Sequence, residues 1–168
     1  MMKDKAKKHA KNQGFSLIEL LIVVAIILII AAIAIPNLLR SRIAANEASA
    51  VGSERTLNTA EVTYNTTYPT VGFTTLTNLG PVAGGGSATS TSAGLIDANL
   101  ASGTKSGYSF QIWTNGSVPV TAYDSAANPV APGTTGQRYF CSDSSGVIQY
   151  NATQPTGATC AGGANTPI

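Results

Sequence analysis

Hydrophobic and polar positions divide the chain into three stretches. Between Phe15 and Ile35 only Ser16 and Glu19 are polar among 21 residues. Rising about 1.5 Å per residue, a helix over that run is about 30 Å long, the thickness of a bilayer's hydrocarbon core. After Pro36 the pattern turns amphipathic. Ile43, Ala50, Leu57 and Tyr64 recur every seven residues, with Leu39, Val51, Ala60 and Val62 nearby, while Arg40, Glu47, Glu54, Arg55 and Glu61 supply charge. The spacing predicts one helix continuing to about Asn65, its first half (15–36) spanning lipid and its second half (37–65) laying an apolar stripe on a globular head. Pro36 removes a backbone donor and crowds the carbonyl of Ala32, so the expectation there is a kink, a loosened turn or a simple bend at the membrane surface. Gly52 is a second weak point.

From Thr66 the composition changes to Thr, Ser, Gly and Asn. Tyr68-Pro69 ends the helical region. Residues 66–107 read as a loop region, in which VAGGGSATSTSAG (Val82 to Gly94) is of low complexity and Leu95 to Leu100 is a short helical turn. Its three glycines lack the following Lys-Ser or Lys-Thr of a P-loop. In 108–168, alternating segments predict four strands: Tyr108 to Thr114, Val118 to Tyr123, Arg138 to Asp143 and Val147 to Asn151. Asn115-Gly116 signals a tight hairpin and Ser144-Ser145-Gly146 a second turn. The expected fold is α+β, a long N-terminal helix packed on a small antiparallel four-stranded sheet.

Charge changes how the N-terminus is read. Residues 1–14 hold five lysines and one aspartate, so the remainder, with 5 basic and 7 acidic side chains, carries −2 against +2 for the whole chain. That excludes a strong electrostatic footprint for nucleic acid on the part after residue 14, without closing the question of DNA as a partner. Positive charge stays on the cytoplasmic side, which directs the C-terminal bulk outward. A secretory signal with a cut after Ala32-Ile33-Ala34 fits poorly, because the apolar run exceeds the usual length and Pro36 would fall beside the cut. A plain anchor explains the length and the lysines. It does not explain Glu19, since a carboxylate in a span costs about 2.5 to 3.5 kcal/mol at the bilayer centre and less near an interface.

Gly14-Phe15, followed by Ser16-Leu17-Ile18-Glu19-Leu20-Leu21 and an aliphatic run to Pro36, closely resembles the prepilin signal of type IV pilins over residues 10 to 45. The resemblance implies a pilin-like fold. It implies cleavage between Gly14 and Phe15 by a membrane-embedded prepilin peptidase, with N-methylation of Phe15. It also implies an assembly role for Phe15 and Glu19, the carboxylate of one subunit neutralising the α-amine of another in a helical homo-oligomeric filament. That amine has an ordinary pKa near 8 and is mainly cationic at neutral pH, and either charge alone in an apolar core is strongly unfavourable. Packing among aliphatic helices gains little over lipid, so the charge pair sets register. An inner-membrane assembly platform and a cytoplasmic ATPase are the implied partners, with the precursor in the inner membrane and the product in an extracellular pilus. Pilins also carry a C-terminal disulfide-bounded loop, and export to an oxidising compartment predicts a bridge between Cys141 and Cys160, a loop of 20 residues.

Catalysis is argued against directly. The one histidine, His9, lies in the leader, leaving no imidazole for a Ser-His-Asp triad or a histidine zinc site in the product. No cofactor or metal is expected, and no loop has an EF-hand pattern. Asn65, Asn115 and Asn151 head glycosylation triplets that a Thr-rich chain produces by chance. Between Phe15 and Tyr64 there is no aromatic, which argues against electron conduction along stacked rings. Three readings follow: a type IV pilus subunit serving adhesion, twitching motility or DNA uptake, a type II secretion pseudopilin, and a membrane-tethered binding protein that never polymerises.

Overall fold

The computed structural model describes residues 15–155, 160 and 166–168. The chain divides into two compact units, one ending at Leu38 and the other beginning at Leu39. One helix, α1 (Leu17–Thr67), contributes to both and has Pro36 inside it. It ends two residues past the expected limit, just before Tyr68-Pro69, where the residue preceding a proline is driven out of the helical region. Residues 15–38, apolar except for Ser16, Glu19 and Asn37, include no buried side chain. This is the one helix among the described residues long and apolar enough to cross a membrane.

In the unit from Leu39, the short helices α2 (Leu76–Leu79) and α3 (Ala98–Ala101) precede a sheet. The Asp97 side chain caps α3 by accepting the Leu100 N–H at 3.0 Å. The sheet is an antiparallel meander of six strands in sequence order: β1 (Thr104–Lys105), β2 (Tyr108–Thr114), β3 (Tyr123–Pro129), β4 (Tyr139–Asp143), β5 (Ile148–Asn151) and β6 (Thr166–Pro167). The α+β expectation holds, with six strands where four were expected. The two additional strands are two-residue edge pieces, too short to leave an alternating pattern.

The second predicted strand is displaced. Val118 to Tyr123 is loop up to Ala122, and the strand runs Tyr123–Pro129 in register with β2, Tyr108 opposite Pro129 and Thr114 opposite Tyr123. Pro119 has no N–H for a ladder. Ser125, Ala126 and Ala127 serve as a strand because the position is central and buried on both faces, where small side chains fit and propensity counts for less. The Asn115-Gly116 signal therefore opens an eight-residue loop, closed by the Asn115 N–H donating to Ala122 O at 3.2 Å. The second turn forms as predicted, the Gly146 N–H donating to Asp143 O at 2.9 Å.

The core lies between the second half of α1, the sheet and the intervening loops. Leu57, Tyr64, Leu79, Leu100, Tyr108 and Phe140 are fully buried within it. Two glycines make close approaches possible. Gly72, at φ +87°, lies against the Val120 backbone, and a Cβ on Gly136 would overlap the Tyr108 hydroxyl.

Candidate assembly segment and the acid row of the first helix

Ser16 precedes α1, and Glu19 stands three residues on, the spacing of a capping box. The Ser16 N–H donates to Glu19 Oε2 at 2.9 Å. Glu19 thus satisfies one of the donors a helix start leaves open, and its negative charge sits at the positive end of the helix dipole. This local geometry holds the carboxylate at the N-terminal end of the span, beside Phe15, whose ring is exposed. Gly14 and the leader lie outside the described residues. Pro36 is accommodated within α1. What this segment offers chemically is a long aliphatic surface with one anion, held close to residue 15.

The second half of the helix contains an arrangement that sequence reasoning missed. Ile43, Ala50, Leu57 and Tyr64 are all buried, as the seven-residue spacing predicts. Glu47, Glu54 and Glu61, counted with Arg40 and Arg55 as the charged complement of the stripe, are buried as well. The arginines are exposed. Interleaved, the buried positions 43, 47, 50, 54, 57, 61 and 64 follow the four-three spacing of a single helix face. The same spacing was present in the sequence, but residue type masked it, since ionisable side chains are almost never fully buried unless paired.

The three acids are held differently. Glu47 meets an ion-pair partner and two backbone donors: its Oε2 lies 2.7 Å from an Arg138 guanidinium nitrogen, and its Oε1 accepts the Gln137 and Arg138 N–H groups at 2.9 and 3.2 Å. Burial pushes its pKa up, but the Gln137 hydrogen bond and the Arg138 contacts outweigh that and hold it below the ordinary carboxylate value. Glu54 has no cation. Its Oε2 accepts the Ser125 hydroxyl at 2.5 Å, and its Oε1 has no partner. Burial, offset only by that one bond, raises its pKa to about 8. Glu61 Oε2 accepts the Thr74 N–H at 3.0 Å while Oε1 again has none, and burial raises its pKa to about 7. Tyr123, on β3, donates its hydroxyl to Asn58 Oδ1 at 3.0 Å. Burial first, then the charges of Glu61, Glu54 and Asp143, push the phenol upward.

Cys141 on β4 and Cys160 form a disulfide with 5.6 Å between their Cα atoms. It packs with Ala126 and half-buried Trp113. Residues 156–159 and 161–165, which complete the predicted C-terminal loop, lie outside the described residues. Of the three glycosylation triplets, the Asn115 side chain is engaged locally, its amide donating to the Thr121 hydroxyl at 2.8 Å and its carbonyl accepting the Ser117 hydroxyl at 2.9 Å.

Comparison with known proteins returns to the N-terminus. The family described as the prokaryotic N-terminal methylation motif matches residues 9–35. Over 56 residues the chain is 46% identical to the type IV major pilin protein PilA of Myxococcus xanthus (strain DK1622). That similarity covers 33% of this chain and 26% of the relative, so the chain matches about a quarter of the relative's length. No solved structure matches.

Proposed function

We propose that this chain, whose residues 9–35 match the prokaryotic N-terminal methylation motif and which resembles a type IV major pilin over 56 residues, is a type IV pilin, a structural subunit rather than an enzyme. Prepilin peptidase cuts between Gly14 and Phe15, Phe15 is N-methylated, and the product polymerises into a helical surface filament. Before assembly residues 15–36 anchor the precursor in the inner membrane; afterwards they form the filament core. An assembly platform and a cytoplasmic ATPase drive extraction, because moving aliphatic helices out of lipid into a bundle of their own kind gains little by itself. The filament then serves adhesion, twitching motility or DNA uptake.

One observation carries the reading. The sole acid of an otherwise aliphatic, unburied helix segment is held at its first turn, with Oε2 on the Ser16 N–H. A cut before Phe15 places a new amine four residues before that carboxylate in the sequence. In an apolar core such an amine needs an anion, and Glu19 is the one acid between Phe15 and Pro36. Pro36 gives the assembled helix a place to loosen.

The mass of the mature N-terminus tests the processing step: N-methyl-Phe15 is expected, and an Ile35 start would revive the secretory signal. Gly14→Glu should leave an uncut precursor in the membrane. Glu19→Ala should still be cleaved yet form few filaments, and undiminished assembly would remove the pairing from the mechanism. Electron microscopy of sheared cell surfaces separates the alternatives. Long filaments containing the chain support the pilin, short filaments on overexpression the pseudopilin, and none at all the tethered binding protein.

A further inference from the structure

Two of the three buried acids on α1 lack what a buried carboxylate needs. Glu54 is fully buried, Glu61 equally so, and each has one oxygen on a single neutral donor and the other on nothing. An ionised carboxylate in that position would carry an uncompensated charge, at a cost of several kcal/mol. Among the described residues no cation pairs with either acid. Arg138, just before β4, is engaged with Glu47, Arg55 of α1 is exposed, and Lys105 of β1 pairs with Asp97 at 2.8 Å. From β3 the titratable group facing the pair is Tyr123, which also feels the charge of Asp143 on β4. The 71–75 segment brings only the Thr74 N–H. Burial therefore outweighs the one hydrogen bond that each acid accepts, and charge on Glu54 and Glu61 is disfavoured.

We propose that Glu54 and Glu61 are proton-held fasteners of the unit from Leu39, each seated as a neutral carboxylic acid between α1 and the elements packed on it, and that loss of the protons loosens that seat. Glu47, at the next repeat, is the charged counterpart and stays fastened when the other two let go. The device makes the fold sensitive to pH between about 4.5 and about 8, while its Arg138 end is insensitive there. It rests on the packing of α1 alone and stands whether or not the chain forms filaments.

The sign follows from linkage. In the unfolded chain both acids ionise at the ordinary value of 4.5, and in the folded chain only at about 8 and about 7. Between those limits the unfolded state has released protons that the folded state keeps, so stability falls as pH rises. Each group raises the unfolding equilibrium constant about tenfold per pH unit.

The test is urea unfolding of the full mature protein in detergent, read by fluorescence of Trp113, the one tryptophan. From about pH 5.5 to about pH 6.5 the constant should rise about a hundredfold in the wild type, about tenfold in Glu54→Gln, and hardly at all in the Glu54→Gln/Glu61→Gln pair. A hundredfold rise retained by the double variant would overturn the proposal. Carboxyl carbon chemical shifts in the unaltered protein supply a second reading that does not depend on the variants folding. Glu54 should remain protonated at about pH 6.5, and a shift showing it ionised there overturns the proposal outright.

Discussion

Glu47 and Arg138 show how little of a side chain's worth is visible in its charge. The guanidinium is half-exposed while the carboxylate is buried, so solvent screens one end of the pair. Arg138→Ala leaves Glu47 Oε1 on its two backbone donors and should cost about 1 kcal/mol. Glu47→Ala instead strands the Gln137 and Arg138 N–H groups and should cost about 2 to 3 kcal/mol. Thermal unfolding of the two variants checks the order; the reverse order would mean that the ion pair, and not the backbone bonds, does the holding. Leu57→Ala, at a fully buried site, should lose about 2 to 5 kcal/mol. That last residue was legible from the seven-residue spacing. The buried acids beside it were not, because residue type argued for solvent and only the packed sheet could overrule it.

At the scale of elements, the helix was legible almost to its last residue, since a continuous apolar run followed by a periodic one admits few other conformations. The sheet was harder to read. β3 is built of Tyr, Asp, Ser, Ala, Ala, Asn and Pro, a composition that announces a strand only once β2 and β4 are there to pair with it. The Cys141–Cys160 bridge joins that central region to the C-terminal segment. Closing 20 residues, it should stabilise the unit from Leu39 by about 3 kcal/mol through the unfolded chain. Urea midpoints with and without reductant measure this, and equal midpoints would mean that the bridge is dispensable. On the acid side, Glu47 is held below its ordinary pKa by its hydrogen bonds. Its stabilisation is complete above 4.5 and is lost as pH falls through its lowered value, so Glu47→Gln should flatten the acid limb of the stability profile and leave the alkaline limb unchanged.

For the whole molecule, the matched motif and the buried core fall in different halves of one helix. The first half holds the methylation motif and Glu19, whereas the second half carries the core. A charge-neutral Glu19→Gln should accordingly leave the unfolding profile of the unit from Leu39 unchanged while reducing filament yield; a shifted profile would show that the halves are coupled. Filaments purified free of cytochromes should not conduct through α1, which has no ring between Phe15 and Tyr64. The sequence by itself determined the long apolar run of α1 and the match to the methylation motif, because each depends on local composition and on the fixed geometry of a helix. Only the tertiary structure decided which acids are buried, which has a cation and which do not, and where the second long strand begins. Those outcomes depend on partners supplied by distant parts of the chain, and desolvation acts only once those parts have come together.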